Sequence, residues 1–368
     1  MGWEPYDLLN SPFLAAGFFS KFPINWLVIQ VGKRSGWVGL RRRMRVPASK
    51  NPKALALFIS GYCDLARIGE STETPIEELR KELDRLRSPN ETDYCWGYDW
   101  PFVSLRGAKM AAFSPNAIAT VACGEALLDT WQLLGKQDAL EMAKSAGRFI
   151  ATRLNRSVDS ADQLCFSYTP GNRSRIYNSS ALCCAFLARL GQLTGIEEYP
   201  SLARRGMQYL AAGQHADGSW PYGEGRWQRW IDSFHSGFNL SALLEYQGAT
   251  GDRSFEAVLN KGMHFYTQSF FREDGAAKYE PGPIYPIDIH SCAQALLTLS
   301  DFSNSDLSLN ILRNRVLEWT ERNMQAPEGF FYYQQHRLWT NKVPYMRWAQ
   351  AWMFRALAHL EVCDRERA

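Results

Sequence analysis

Two short runs in the C-terminal half each set an acid beside an imidazole. In Trp227-Gln-Arg-Trp-Ile-Asp-Ser-Phe-His-Ser-Gly237, Asp232 and His235 are three apart at a helix start, so they share a helix face. In Tyr285-Pro-Ile-Asp-Ile-His-Ser291, Asp288 and His290 fall just before or within a first helical turn, with Tyr285 as a further proton-transfer candidate. Carboxylates and imidazoles in a partly dry aromatic pocket are equipment for general acid–base work. An Asp at a helix start is also a common N-cap. It is the recurrence of the pair at two equivalent places that argues for a site.

Other polar and aromatic residues stand at matching positions: Asp99 and Trp100, Tyr177 and Asn178, Trp220, Tyr222 and Trp230, and the run Tyr345-Met-Arg-Trp-Ala-Gln350. In that run Arg347 and Gln350 share a face, with Trp348 alongside. An arginine inside an aromatic, Ala-rich helix is costly unless it meets an acid. Arg347 therefore either pairs with Asp232 or Asp288, or holds a substrate carboxylate or phosphate in a bidentate fork. Tyr345, Trp348, Gln350 and the residues just named are the substrate-binding candidates, and Glu224 is a weaker acid candidate on a flexible loop. There is no Gly-rich phosphate loop, no Gly-x-Ser-x-Gly elbow and no His-Glu-x-x-His helix. The Asp/His spacings match no strong metal signature, so neither a metal nor a cofactor is expected.

Repeating elements must position these residues. The aromatic, turn-rich stretches that begin at Cys95, Cys165, Gly218, Ala277 and Gly329 lie about 70, then about 55, residues apart. Each leads into an apolar helix rich in small residues: Asn116–Leu134, Asn178–Leu193, Asp232–Tyr246, Asp288–Leu299 and Arg347–Leu360. A more charged helix follows, such as Tyr199–Gly213 or Arg253–Phe270. Small residues suit an inner ring where helix axes approach closely, and charged faces suit an outer ring in water. A further unit is assembled from Asn51–Arg67 and Thr74–Arg87, with Pro75 tolerated in the first turn. Six helical hairpins predict an all-α (α/α)6 toroid over residues 51–368. The polar inner-helix starts then converge on one funnel with the aromatic stretches at its rim.

Residues 1–50 form an arm that is apolar, then basic. Pro12–Val31 is interrupted by Lys21, Pro23, Asn25 and Gln30, which makes a poor membrane span, and Lys33, Arg34, Arg41, Arg42, Arg43 and Arg45 follow. Such an order either packs across the outside of the ring, the reading that the burial habits of large apolar side chains favour, or rests on an anionic membrane face. A net charge of +3 is too small to argue for nucleic acid. Eight scattered cysteines without zinc spacing, and no signal-peptide pattern, point to the cytoplasm, with peripheral contact at the inner membrane face open.

Gln214-His-Ala-Asp-Gly-Ser-Trp220 resembles the Gln-x-x-Asp-Gly-Ser-Trp motif of squalene and other triterpenoid cyclases and of prenyltransferase-type toroids, and Gln325-Ala-Pro-Glu-Gly-Phe-Phe331 is a degenerate relative. The Asp-x-Asp-Asp box of those cyclases is absent. A longer resemblance is to toroid proteins of bacterial exopolysaccharide and capsule loci. It rests on Cys165-Phe-Ser-Tyr-Thr-Pro170, Gly218-Ser-Trp-Pro-Tyr-Gly223, Trp230-Ile-Asp-Ser-Phe-His235, Pro286-Ile-Asp-Ile-His-Ser291 and Pro344-Tyr-Met-Arg-Trp-Ala-Gln-Ala-Trp352. That resemblance implies work on a surface polysaccharide or its lipid-linked precursor. The expected function is thus acid–base chemistry on an acidic or neutral glycan: hydrolysis, elimination or epimerisation. Asp232 and Asp288 would be acid and base, or His235 and His290 would share that role. The alternatives are an isoprenoid-handling toroid and a glycan-binding scaffold without turnover.

Overall fold

The computed structural model describes residues 1–103, 109–303 and 306–367. Two helices in the arm, α1 (Ile24–Arg34) and α2 (Val38–Arg43), precede the ring helices. These are α3 (Pro52–Arg67), α4 (Glu73–Arg85), α5 (Ala117–Leu134), α6 (Gln137–Arg153), α7 (Tyr177–Thr194), α8 (Glu198–Ala212), α9 (Ser233–Thr250), α10 (Glu256–Ser269), α11 (Ile289–Phe302), α12 (Leu307–Met324) and α13 (Trp352–Arg365). Helix α3 packs on α5, α5 on α7, α7 on α9, α9 on α11, α11 on α13, and α13 returns to α3. Six inner helices therefore close a ring, and α4, α6, α8, α10 and α12 stand outside it, so among the described residues five of the six expected hairpins are complete and α13 has no outer helix following it. This is the (α/α)6 toroid that the period implies.

Polar caps set where the inner helices start. Asn51, Asn116, Asp232 and Asp288 each accept a backbone N–H of the first turn, from Ala54, Ala119, His235 and His290. That satisfies one of the free donors at each helix start. Helix α7 differs: it begins at Tyr177 after Ile176, with no side-chain cap. At the far end Gly135, Gly195 and Gly251 take positive φ of 66°, 72° and 72°, which lets the chain turn directly into the outer helix. Small residues bring the inner axes close. A Cβ on Gly124 of α5 would stand 2.5 Å from the Phe186 ring of α7.

Short hairpins fill the loops: β1 (Phe102–Val103) with β2 (Lys109–Met110), β3 (Arg156–Asp159) with β4 (Leu164–Phe166), and β5 (Ile287–Asp288) with β6 (Gln334–Gln335) and β7 (Thr340–Asn341). Helix α13 is preceded by a π-helical turn, Met346–Ala351, carrying Arg347 and Trp348. Single π turns inside helices are frequent at functional sites.

The arm does not simply cross the outside of the ring. Gly2 bridges Ser49, the Trp3 carbonyl accepts the Met346 N–H, and Tyr345 Oη donates to the Gly32 carbonyl. Part of the link is electrostatic: the arm carries buried carboxylates, one paired within the arm and one paired with the ring. Asp7 accepts from Arg41 Nε at 2.9 Å, both buried, and the Glu4 carboxylate reaches Arg347. All eight cysteines are buried and unpaired. Among the described residues no helix is long and apolar enough to cross a membrane.

Candidate functional site

The caps at α9 and α11 do more than close helix ends. Asp232 is buried, and its Oδ1 accepts the His235 N–H at 2.9 Å. Its Oδ2 lies 2.7 Å from His235 Nδ1 and accepts from Trp230 Nε1 at 2.9 Å. That contact puts a proton on Nδ1, so in the neutral ring the lone pair lies on Nε2. The imidazole lies 4.6 Å from the Tyr222 ring and 4.2 Å from the Phe234 ring.

Asp288 is wholly buried. Its Oδ1 accepts from the His290 N–H (2.9 Å) and Trp348 Nε1 (2.8 Å), and its Oδ2 from Gln334 Nε2 (2.6 Å). Burial pushes this carboxyl above its ordinary range, and those three donors pull it back. The His290 side chain therefore points elsewhere. It stacks on Phe234 at 4.5 Å, with Trp352 and Trp348 at 4.7 and 4.8 Å, and neither ring nitrogen has a hydrogen-bond partner among the described residues. Burial, then the charges of Lys53 and Arg347, hold it well below the usual imidazole range, so it is neutral at physiological pH. One phenyl ring, Phe234, thus lies between the two histidines.

Arg347 is buried over three aromatic faces, 5.2 Å from Tyr98 and 5.1 Å from both Trp100 and Trp348. The acid it meets is neither Asp232 nor Asp288. Glu4 from the arm accepts the Arg347 N–H at 2.8 Å and stands 3.3 Å from its Nε. Burial pushes the Glu4 carboxyl up to about 8, even against the pull of Arg347. Tyr6 follows from the arm, 6.2 Å from the Trp100 ring and 5.9 Å from Trp348, with Lys33 Nζ 5.4 Å from its own ring.

The structure therefore brings Asp232, His235, Asp288, His290, Arg347 and Trp348 together with Trp100, Tyr222 and Trp230. Tyr222 stacks on Trp230 at 4.5 Å, and Trp100 on Tyr98 at 4.7 Å. Other candidates have different work. Asp99 accepts from Ser49 and Asn51, which ties the arm to α3. Tyr177 stacks on Tyr209 of α8 and leans against Gly213, between inner and outer helix. Asn178 is buried in the first turn of α7, its Oδ1 without a partner among the described residues. Trp220 is a wedge: it donates to the Leu210 carbonyl and its ring fills the space left by Gly262 of α10. Its motif partner Gln214 donates to Val258 of α10, so the motif clamps neighbouring outer helices. Tyr345 is buried against Arg41 and α1, and Gln350 clamps the backbone of Phe331 from both sides. Tyr285 stands exposed on the loop before β5. Glu224 on the rim pairs with Arg175 and accepts from Tyr209 Oη.

Sequence reading missed Lys53. It lies in the first turn of α3, is buried, and holds its Nζ 5.0 Å from the Trp352 ring and 5.5 Å from Phe238. Burial and then Arg347 lower its ammonium to about 7. Gln334, which fixes Asp288, was also missed. Among the described residues no group of three or more His, Cys, Asp or Glu could hold a metal.

No protein-family model and no curated protein sequence matches the chain. Solved structures do, as all-α toroids. The chain is similar to cellobiose 2-epimerase from Bacillus thermoamylovorans: TM-score 0.67, 13% identity, 87% of this chain and 90% of that one. It is similar to a GH76 α-mannanase from Bacteroides thetaiotaomicron, with TM-score 0.62, 12% identity and coverage of 85% and 87%. It is also similar to an unsaturated glucuronyl hydrolase from Bacillus sp. GL1, with TM-score 0.60, 14% identity and coverage of 86% and 88%. At such identities the shared property is the fold.

Proposed function

We propose that the chain is a carbohydrate-active enzyme whose acid–base pair is His235 and His290, acting on a glycan held in the funnel. One observation carries this reading. Two imidazoles flank Phe234, one with Nε2 free and the other with both nitrogens unpartnered. Both carboxylates, by contrast, spend their lone pairs on donors fixed by the fold. Neither is placed like the free carboxylic acid that two-carboxylate glycoside hydrolysis requires. Asp232 and Asp288 are then positioning residues. The chemistry that suits two neutral imidazoles is removal of a proton from a sugar carbon by His235 Nε2 while a His290 N–H hydrogen-bonds the oxygen on which charge develops. The His235 imidazolium then returns the proton to that carbon in epimerisation or gives it to the departing oxygen in elimination. Solved toroids that act on cellobiose, mannan and glucuronyl glycans support a glycan over an isoprenoid.

The test is incubation with neutral and uronate-bearing oligosaccharides in deuterium oxide, read by NMR. Deuterium should enter one sugar carbon, or a C=C bond should form, and His235→Asn and His290→Asn should each slow this by about 10²–10⁴-fold. Simple cleavage that both variants retain would refute the histidine pair.

The glycan is also proposed to be a surface polysaccharide or its lipid-linked precursor, met at the inner membrane face. What supports this is the outward side of the arm. Phe13, Phe18, Phe19, Phe22, Leu27, Val31 and Trp37 are exposed, among exposed Lys21, Arg34, Arg42, Arg43 and Arg45. Aromatic insertion plus about 1 kcal/mol per basic residue near an anionic surface would hold the chain there. Flotation with anionic vesicles should succeed in low salt and fail for Phe18→Ser/Phe19→Ser. Equal flotation of that variant would leave the patch without this role.

A further inference from the structure

A cation buried in a protein normally meets an acid, because an uncompensated charge in a low-dielectric interior is costly. Arg347 has Glu4, and Arg41 has Asp7. Lys53 forms no ion pair with a described residue and is 5% exposed. What surrounds it is aromatic: Trp352 from α13 and Phe238 from α9. The charged and titratable groups that act on it are Arg347 on the π turn, Cys123 on α5 and Glu4 on the arm, and Lys53 in turn acts on His290 of α11. Glu4 is already engaged by Arg347, so among the described residues no other acid meets Lys53.

Its position makes this more than an unfavourable core residue. Lys53 shares its two aromatic neighbours with His290, whose ring lies 4.7 Å from Trp352 and 5.8 Å from Phe238. A partnerless amine and a partnerless, nine-tenths-buried imidazole thus sit over the same aromatic floor. A glycan without charge would satisfy the imidazole with a hydroxyl and leave the ammonium uncompensated. A sugar bearing one anionic oxygen group satisfies both.

We propose that Lys53 is the anion-binding residue of this site, and that the substrate is a sugar carrying a carboxylate or phosphate beside the carbon or oxygen addressed by His290. The inference rests on the glycan reading above and names its substrate class. It also replaces Arg347 as the anchor for an acidic group, since Arg347 is held by the arm.

The test is calorimetric binding of three probes to the full chain: cellobiose, its uronic acid cellobiouronate, and cellobiose 1-phosphate. At pH 6.5 at least one anionic probe should bind about tenfold or more tightly than cellobiose, as hydrogen bonds to charged groups allow. The ratio should fall to about one in Lys53→Gln. At pH 8 the anionic probe should draw a proton onto the wild-type amine, read as buffer-dependent heat, and Lys53→Gln should show none. If Lys53→Gln does not fold, Glu4→Gln protein, which lacks the carboxyl that ionises near pH 8, should lose the preference between pH 6.5 and 9 as the amine deprotonates. A preference that survives the substitution, or that is indifferent to pH, overturns the assignment. Cellobiose bound as well as both anions also overturns it, while leaving the glycan reading intact. If none of the three binds at millimolar concentration, the glycan reading falls and this inference falls with it.

Discussion

Asp232→Asn removes one charge and one acceptor from the most connected carboxylate near His235. Asparagine caps a helix about as well as aspartate, so the α9 start should survive with its Oδ1 on the His235 N–H. The amide then replaces Oδ2, which faces two groups at once: Trp230 Nε1–H at 2.9 Å and His235 Nδ1 at 2.7 Å. An NH2 cannot accept from the indole, and it donates to Nδ1, so the imidazole must shift its proton to Nε2. The stability cost is that of one lost partner on a partly exposed Trp230, about 1 kcal/mol. The functional cost is larger, because the nitrogen meant to accept a proton now carries one; turnover should fall by about 10²–10⁴-fold. Two assays separate these effects. Denaturant unfolding reads the first, and long-range 1H–15N spectra of His235 read the tautomer directly, without substrate. A variant still carrying its proton on Nδ1, or one with wild-type turnover, would refute the positioning role of Asp232.

Three further predictions concern the scaffold. Asp7→Asn leaves the buried Arg41 guanidinium without a counter-ion and should cost about 3–5 kcal/mol in urea unfolding at pH 8; a loss under about 1 kcal/mol would mean the arm is not a fixed wall of the site. Trp220→Ala empties the wedge between α8 and α10 and should cost about 3–5 kcal/mol, while the probe affinities of the folded fraction stay unchanged. Burial alone would lower His359, but its 2.7 Å hydrogen bond with Asp301 outweighs this and raises it to about 9 from 6.5. A raised imidazole stabilises fully below the unfolded value and loses that contribution as pH rises through about 9. Unfolding free energy should therefore fall by up to about 3 kcal/mol between pH 6 and 10, and His359→Asn should flatten that slope.

Much of the fold is visible in the residues because its cause is local and repeated. Asn51, Asn116, Asp232 and Asp288 stand at helix starts whose apolar periodicity follows at once, and four caps at one end of a ring must converge. The clustering of both Asp–His pairs with Arg347 and Trp348 follows from that geometry. What was illegible depends on closure. Lys53 in Asn51-Pro-Lys-Ala reads as an ordinary solvated first-turn residue. Only the return of α13 onto α3, which brings Trp352 beside it, buries the amine. Glu4 lies 343 residues from Arg347 in sequence, and no local pattern pairs them. Trp220, Tyr345 and Gln350 look like funnel residues by position, yet each is taken by a partner outside it: the Leu210 carbonyl, the Gly32 carbonyl and the Phe331 backbone. An aromatic at a turn can face the funnel or wedge two helices, and spacing alone does not separate these.

The central claim, that a glycan is held in the funnel within reach of both histidines, is tested most directly by a crystal structure of His290→Asn protein soaked with a uronate-bearing oligosaccharide. The account predicts a sugar ring against Trp348 and Phe234, an oxygen or reacting C–H facing His235 Nε2, and the anionic group on Lys53. A glycan bound only outside the funnel, or a funnel that stays free of glycan at saturating concentration, would contradict it.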